Sequence, residues 1–162
     1  MVSRMPEMIN IDRAKRVGII YELNGVQDYN HVLEFVSSLQ HDKKEVKALG
    51  FVTHQNLTER FLPKLSYDFF SSADLNWYYK PVSLRVKNFQ REKFDLLIDL
   101  SLHDNLSLFY IVALSTARCR VGRFSEQSTA YHDLMIKTQP LSSLRELISQ
   151  IKHYLTIIHT PG

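Results

Sequence analysis

The sequence predicts an α/β protein with a doubly wound, mostly parallel sheet, Rossmann-like or flavodoxin-like, and helices on both faces. Three observations predict it. Short continuous apolar runs recur along the chain, as strands buried on both faces require. Between them lie segments whose apolar residues return every three or four positions, the period of an amphipathic helix. The two kinds of segment alternate, which calls for right-handed crossovers onto a parallel sheet.

The elements follow in order. Residues 1–16 mix charged and apolar side chains and read as an N-terminal helix or arm. Val17-Gly18-Ile19-Ile20-Tyr21 is the first strand, and Asn24-Gly25 breaks the chain after it. Tyr29, Val32, Leu33, Val36 and Leu39 then share one helical face, with Asp28 placed to cap the first turn. Residues 46–52 form a second strand. Residues 53–93 are the least regular; Pro63 and Pro81 interrupt them, and they leave room for one or two short elements and a third strand near 67–71. Trp77-Tyr78-Tyr79 reads there as a short strand or an aromatic loop. Residues 94–100 are the clearest strand, apolar at the centre and acidic at Asp99. Residues 105–116 are apolar nearly all round, so they form a buried helix. Strands at 119–124 and 132–137 follow. Ser143 and Glu146 have the spacing of a capping box, and the helix after them carries Leu144, Leu147, Ile148, Ile151, Leu155 and Ile158 on one stripe, ending before Pro161-Gly162. No repeat or linker divides the chain, so 1–162 reads as one domain.

Composition removes several classes of function. A chain of 162 residues with 44% apolar and 23% charged residues has an ordinary globular balance, not that of a disordered chain. Twenty basic and 17 acidic residues leave a net charge of +3, spread along the chain, and the densest basic clusters, at 13–16 and 118–123, are short. A nucleic-acid partner is therefore not expected. The most apolar stretch, 106–114, is about half the ~20 residues a bilayer span needs, so no membrane segment is expected. The opening residues lack the continuous apolar core of a signal peptide. Cys119 is the sole cysteine, read as a buried, inert thiol. A lone cysteine suits a reducing compartment, and the cytoplasm is the expected location.

Motifs remove more. The five glycines form neither G-x-G-x-x-G nor a phosphate-cradling P-loop, and no G-x-S-x-G elbow exists. No cofactor is expected. Seven histidines are scattered without H-x-x-x-H spacing, and no metal site is expected.

The remaining candidate comes from topology. Doubly wound sheets bind ligands beyond the carboxyl ends of their strands, where the strand order switches. If the first strand neighbours the 94–100 strand, two loops meet there. One carries Glu22, Asn24, Gly25 and Asp28; the other carries Asp99, Ser101, His103, Asp104 and Asn105. Asp99 and His103 are the candidate catalytic pair, since a carboxylate beside an imidazole tunes it for proton transfer. Glu22, Asn24, Gly25, Asp28 and Ser101 are the candidate ligand-binding residues. The same residues also have plain structural uses: Asp104 or Asn105 can cap the next helix, and Asp99 can satisfy loop amides. Trp77-Tyr78-Tyr79 fits a sugar or base platform, and fits core packing or a partner contact better. Arg118 and Arg120 would project to one side of a strand and Arg123 to the other, which argues against one anion site from all three.

Phe94-Asp95-Leu96-Leu97-Ile98-Asp99-Leu100, an apolar helix, and Ala117-Arg118-Cys119-Arg120-Val121-Gly122 together resemble the middle of the N-terminal domain of ADP-heptose:lipopolysaccharide heptosyltransferases. The pattern covers about thirty residues. The chain is also similar to an uncharacterised family of single-domain proteins from Bacteroidetes bacteria. The resemblance implies a shared fold and an acceptor-like ligand near Asn24, Gly25 and Ser101. It does not imply transfer, because Leu23-Asn24-Gly25 stands where the transferases carry Leu-Gly-Asp, and 162 residues leave no room for their second domain. The strand ending in Asp99 is similar to the phosphoacceptor strand of response-regulator receivers as well, with Lys137 near the place of their lysine, but Glu22 alone replaces their acidic pair.

Three readings follow. The first is a non-catalytic domain resembling half of a sugar transferase. The second is a small-molecule enzyme at the strand ends. The third is a protein-interaction module using the Trp77 segment. The partner is then a small molecule or a protein, and the chain a monomer or homodimer.

Overall fold

The computed structural model describes residues 4–54, 61–139 and 143–158. Six strands form one sheet: β1 (Arg16–Leu23), β2 (Glu45–Val52), β3 (Tyr67–Ser71), β4 (Leu96–Asp99), β5 (Cys119–Arg123) and β6 (Leu134–Ile136). The helices are α1 (Val26–His41), α2 (Leu84–Arg91), α3 (Leu106–Leu114) and α4 (Leu144–Ile157). The strand order is β3-β2-β1-β4-β5-β6, and every neighbouring pair is parallel. This is the Rossmann order, so the flavodoxin-like alternative, and the receiver resemblance that shares it, are set aside.

Strand alternation sorts the core into two layers. Val17, Ile19, Tyr21 and Leu23 face one side, where Val32, Phe35, Val36 and Leu39 of α1 and the apolar stripe of α4 cover them. Ile20, Leu49, Phe70 and Leu97 face the other, under Val86 and Phe89 of α2 and Leu108, Ile111 and Val112 of α3. Gly18 faces this second layer, where a Cβ would lie 2.6 Å from the Phe94 ring; its absence lets the ring close the sheet's lower end.

Local chemistry explains the boundaries. Ser143 caps α4 by accepting the Glu146 N–H. Asn105 caps α3 in the same way through the Leu108 N–H, so the buried helix begins where the polar loop ends. Gly25, not Asp28, is the N-cap of α1; Asp28 sits inside the first turn and its carboxylate accepts the Asn24 N–H at 3.0 Å. The opening segment is an arm, not a helix. It carries one turn near Asn10 and buries Ile9, Ile11 and Ala14 in the first layer. α2 is an element that the irregular stretch concealed: Lys87, Asn88 and Arg91 are exposed and only Val86, Phe89 and Gln90 are buried, so its apolar stripe is too short to show as a period. The predicted end of α4 at Pro161-Gly162 lies outside the described residues.

The arginines are committed to structure. Arg118 pairs with Glu7 and Asp95. Arg120 donates to the Val112 carbonyl at the end of α3 and lies beside Asp133. Arg123 pairs with Asp104. Cys119 is buried, and burial pushes its thiol up to about 11, which leaves the nucleophilic thiolate scarce. Among the described residues no helix is long and apolar enough to cross a membrane.

Candidate functional site

The β1–β4 adjacency makes the centre of the sheet a switch point: the chain leaves β1 toward β2 on one side, and β4 runs toward β5 on the other. α1 and α3 start on opposite faces there, and the loops after β1 and β4 meet between them.

The residues at this end fall into two groups. The first is buried. Asp99 closes β4 and is only 3% exposed. Its Oδ1 accepts the Ser101 N–H at 2.9 Å and the Ser101 hydroxyl at 2.5 Å. Its Oδ2 lies 2.9 Å from Nε2 of His132. The His132 Nδ1 is 3.1 Å from the Ser128 carbonyl oxygen. The carbonyl and the carboxylate both accept, so whichever ring nitrogen carries a hydrogen donates to the oxygen beside it. The imidazole lies over Gly122, one residue beyond the Ile98–Val121 pair, where a Cβ would sit 2.5 Å from Nε2. Phe109 of α3 meets the ring edge-on.

The second group is open. Glu22 is half-buried at the end of β1, with the Asn105 amide 3.5 Å from Oε2. Burial pushes its carboxyl above the ordinary carboxylate range; the Asn105 contact and the charge of His103 pull it partly back, and the charges of Asp99 and Asp28 push the other way. His103 and Asp104 are exposed on the loop. Asn24 is exposed, and its Oδ1 accepts the Thr53 hydroxyl at 2.6 Å. Gly25 borders open space: a Cβ would meet nothing within 4 Å.

Against α3 stands the aromatic strap of residues 75–81. Leu75 and Pro81 bridge antiparallel. The Asn76 side chain accepts the N–H groups of Tyr78 and Lys80, and Ser107 of α3 donates to the Tyr79 carbonyl at 2.8 Å. Trp77 is 89% exposed and meets Tyr78 edge-on, and Tyr78 in turn reaches Tyr110. Tyr79 holds φ 67°, a left-handed conformation that a bulky side chain disfavours, while its ring stays 62% exposed.

The structure thus brings Glu22, Asn105 and His103 together at the rim of the switch point, and Asn24 and Asp28 to the start of α1. It puts Asp99 and Ser101 behind them in a polar knot with His132. The imidazole beside Asp99 comes from 33 residues along the chain, not from the adjacent His103. One sequence signal pointed there: a glycine inside a strand, Gly122, marks a close approach by another group. Among the described residues no three His, Cys, Asp or Glu side chains gather as metal ligands.

The strand order and the helices on both faces define a Rossmann-like α/β domain. Residues 2–158 match the family of unknown function DUF6913, and the chain belongs to that family. Its structure is similar to that of a glycosyl transferase of family 9 from Veillonella parvula, with a TM-score of 0.60 at 10% identity. The match covers 90% of this chain and 42% of the transferase, so the chain spans less than half of that protein. No curated protein matches the chain in sequence. At that identity the structural likeness concerns the fold, and on the fold it agrees with the sugar-transferase resemblance of residues 94–122.

Proposed function

We propose that this chain is a single, non-catalytic domain with the architecture of half a family-9 glycosyltransferase, and that it binds a small polar ligand at the carboxyl ends of its strands. The observation that carries the reading is the enclosure of Asp99. The carboxylate that topology places for chemistry is 3% exposed and holds the Ser101 N–H, the Ser101 hydroxyl and His132. It has no free face to offer a substrate. What remains open is a polar rim, the Glu22 carboxyl with the amides of Asn24 and Asn105, and, against α3, the exposed Trp77 ring. Aromatic faces, amides and carboxyls suit sugars and related polyhydroxylated ligands, whose hydroxyls donate to a carboxylate. The buried Cys119 supports a reducing compartment, the cytoplasm.

The test pairs binding with turnover. The protein is titrated with sugar phosphates and nucleotide sugars while thermal stability and nucleoside diphosphate release are followed. Binding without release is the expected result, with a stabilisation of about 2.7 kcal/mol at one hundred times the dissociation constant. Steady release that disappears in Glu22→Gln overturns the reading. That outcome would establish a second one, an enzyme with Glu22 as proton acceptor, which the raised Glu22 carboxyl favours.

A further inference from the structure

We propose that the free edge of β6, with the recess beside it, takes an extended acidic peptide segment of a partner protein as an added strand. The inference is independent of the binding reading above, which concerns the centre of the sheet.

The two edges of the sheet differ. In a parallel ladder, alternate residues turn their N–H and C=O groups to one neighbour, and the residues between turn theirs to the other side. At the β3 edge the Ala48 N–H donates to the Ser66 carbonyl, so Tyr67, Phe69 and Ser71 face outward. Each outward group from the Tyr67 N–H to the Ser71 N–H has a partner within the chain. Tyr67 exchanges both of its backbone bonds with Lys64. The Phe69 N–H donates to the Asp68 carboxylate, and the Phe69 carbonyl accepts from Arg85. The Ser71 N–H donates to the Asp74 carboxylate. That edge is closed to a further strand.

The β6 edge is open. The Phe124 N–H donates to the Ile136 carbonyl, so Ile136 faces β5 and Met135 turns its backbone groups outward. Among the described residues nothing bonds the Met135 N–H or carbonyl, and its side chain is partly exposed. A free donor and acceptor on an edge strand form a template for another chain, which main-chain bonds hold and flanking side chains select.

The flank sets the chemistry of the occupant. Past β6, Lys137 and the α4 residues Gln150, His153 and Tyr154 border a recess of about 660 Å³, and no acidic residue lines it. The Lys137 ammonium rests over the Phe124 ring and has no carboxylate partner among the described residues. The acid at the other end of the strand, Asp133, is already held by Arg4 and by the Arg120 N–H. A second copy would bring another Lys137 to an edge whose one acid is paired. A segment with its own carboxylate meets Lys137 and the His153 imidazole instead.

The test is an amide-shift titration of the full chain with two capped peptides of alternating threonine and valine, one ending in glutamate and the other in lysine. Saturable shifts are expected in β6 and at His153, with the glutamate peptide tighter by about threefold, the scale of an exposed ion pair. Met135→Pro removes the outward N–H and leaves the bonds to β5, because proline is tolerated where an edge N–H faces solvent. It should weaken binding about fivefold or more, the worth of one hydrogen bond. Lys137→Glu should reverse the preference between the two peptides, and it decides the question alone should Met135→Pro fail to fold. An absence of saturable β6 shifts at about 5 mM peptide overturns the proposal. So does unchanged affinity in a folded Met135→Pro, or the wild-type preference kept in Lys137→Glu. A wild-type dimer in sedimentation that Met135→Pro dissociates also overturns it, and gives the edge to a second copy.

Discussion

The buried knot and the open strap lie at the same end of the sheet and handle polar and aromatic groups in opposite ways. In the knot, Asp99, Ser101 and His132 are buried and their hydrogen bonds run to one another and to the backbone. In the strap, Trp77 and Tyr79 present large rings to solvent on a backbone held by the Asn76 side chain and by Ser107. The difference separates what stability requires from what it does not. Burial makes every unpaired polar atom costly, so the knot has to be complete. An exposed ring contributes little to folding, and a left-handed tyrosine costs some stability, so the fold alone does not account for the strap.

The largest expected effect tests the knot. Asp99→Ala leaves the Ser101 hydroxyl and the His132 ring buried without their acceptor. Leaving a buried donor without its acceptor costs about 1–3 kcal/mol. Urea unfolding should show the midpoint falling by that equivalent. A loss below about 1 kcal/mol, the scale of ordinary surface substitutions, would mean that the knot is solvated and that the contrast with the strap is false.

Gly122→Ala attacks the same knot from beneath. The new Cβ would lie 2.5 Å from Nε2 of His132, and the ring is fixed at both nitrogens. Overpacking of this kind costs about 1–3 kcal/mol. A crystal structure of the variant with His132 unmoved and stability unchanged would refute the slot.

Much of this architecture was legible in the chain. The apolar runs beginning at Val17, Val46 and Phe94 announced strands buried on both faces, and the stripe from Leu144 to Ile158 announced α4, because each pattern comes from burial that the residues themselves encode. α2 was not legible, since three buried residues make no period. The candidate site was legible in part. It required β1 to neighbour β4, and the two strands do pair, so their loops meet. The Asp99–His132 bond was hidden because sequence distance favours His103, while the contact depends on register across β4, β5 and the connection before β6. Only Gly122, the missing side chain above which the ring lies, left a trace of it.

Glu22 lies beside the knot and gives a smaller effect with a definite sign. Burial raises its carboxyl in the folded state above the unfolded value. The folded state therefore favours the protonated form. The associated stability is fully present below the unfolded pKa and is lost as pH rises through the folded one. At neutral pH Glu22→Gln should stabilise the protein, by less than about 1 kcal/mol at this half-buried position, and the gain should vanish in acid. Denaturation midpoints of both proteins at about pH 3.5 and pH 7 check it. A destabilising effect at neutral pH would mean that the Glu22 charge is held by partners and that this part of the rim belongs with the knot.

The smallest expected effect on folding tests the strap. Trp77 is 89% exposed, and its ring contact is with Tyr78, itself partly exposed. Trp77→Ala should therefore change stability by no more than about 0.5 kcal/mol. Any ligand that stacks on the ring should lose tenfold or more in affinity, about 1.4 kcal/mol. Tyr79→Gly sharpens the point, because glycine adopts φ 67° without steric cost and should leave the fold unchanged or slightly more stable. The two measurements together distinguish the possibilities. Unchanged stability with lost binding assigns the ring to recognition. A stability loss of about 2 kcal/mol or more, the scale of a buried aromatic, would place Trp77 in the packing of the domain and remove the strap from the binding surface.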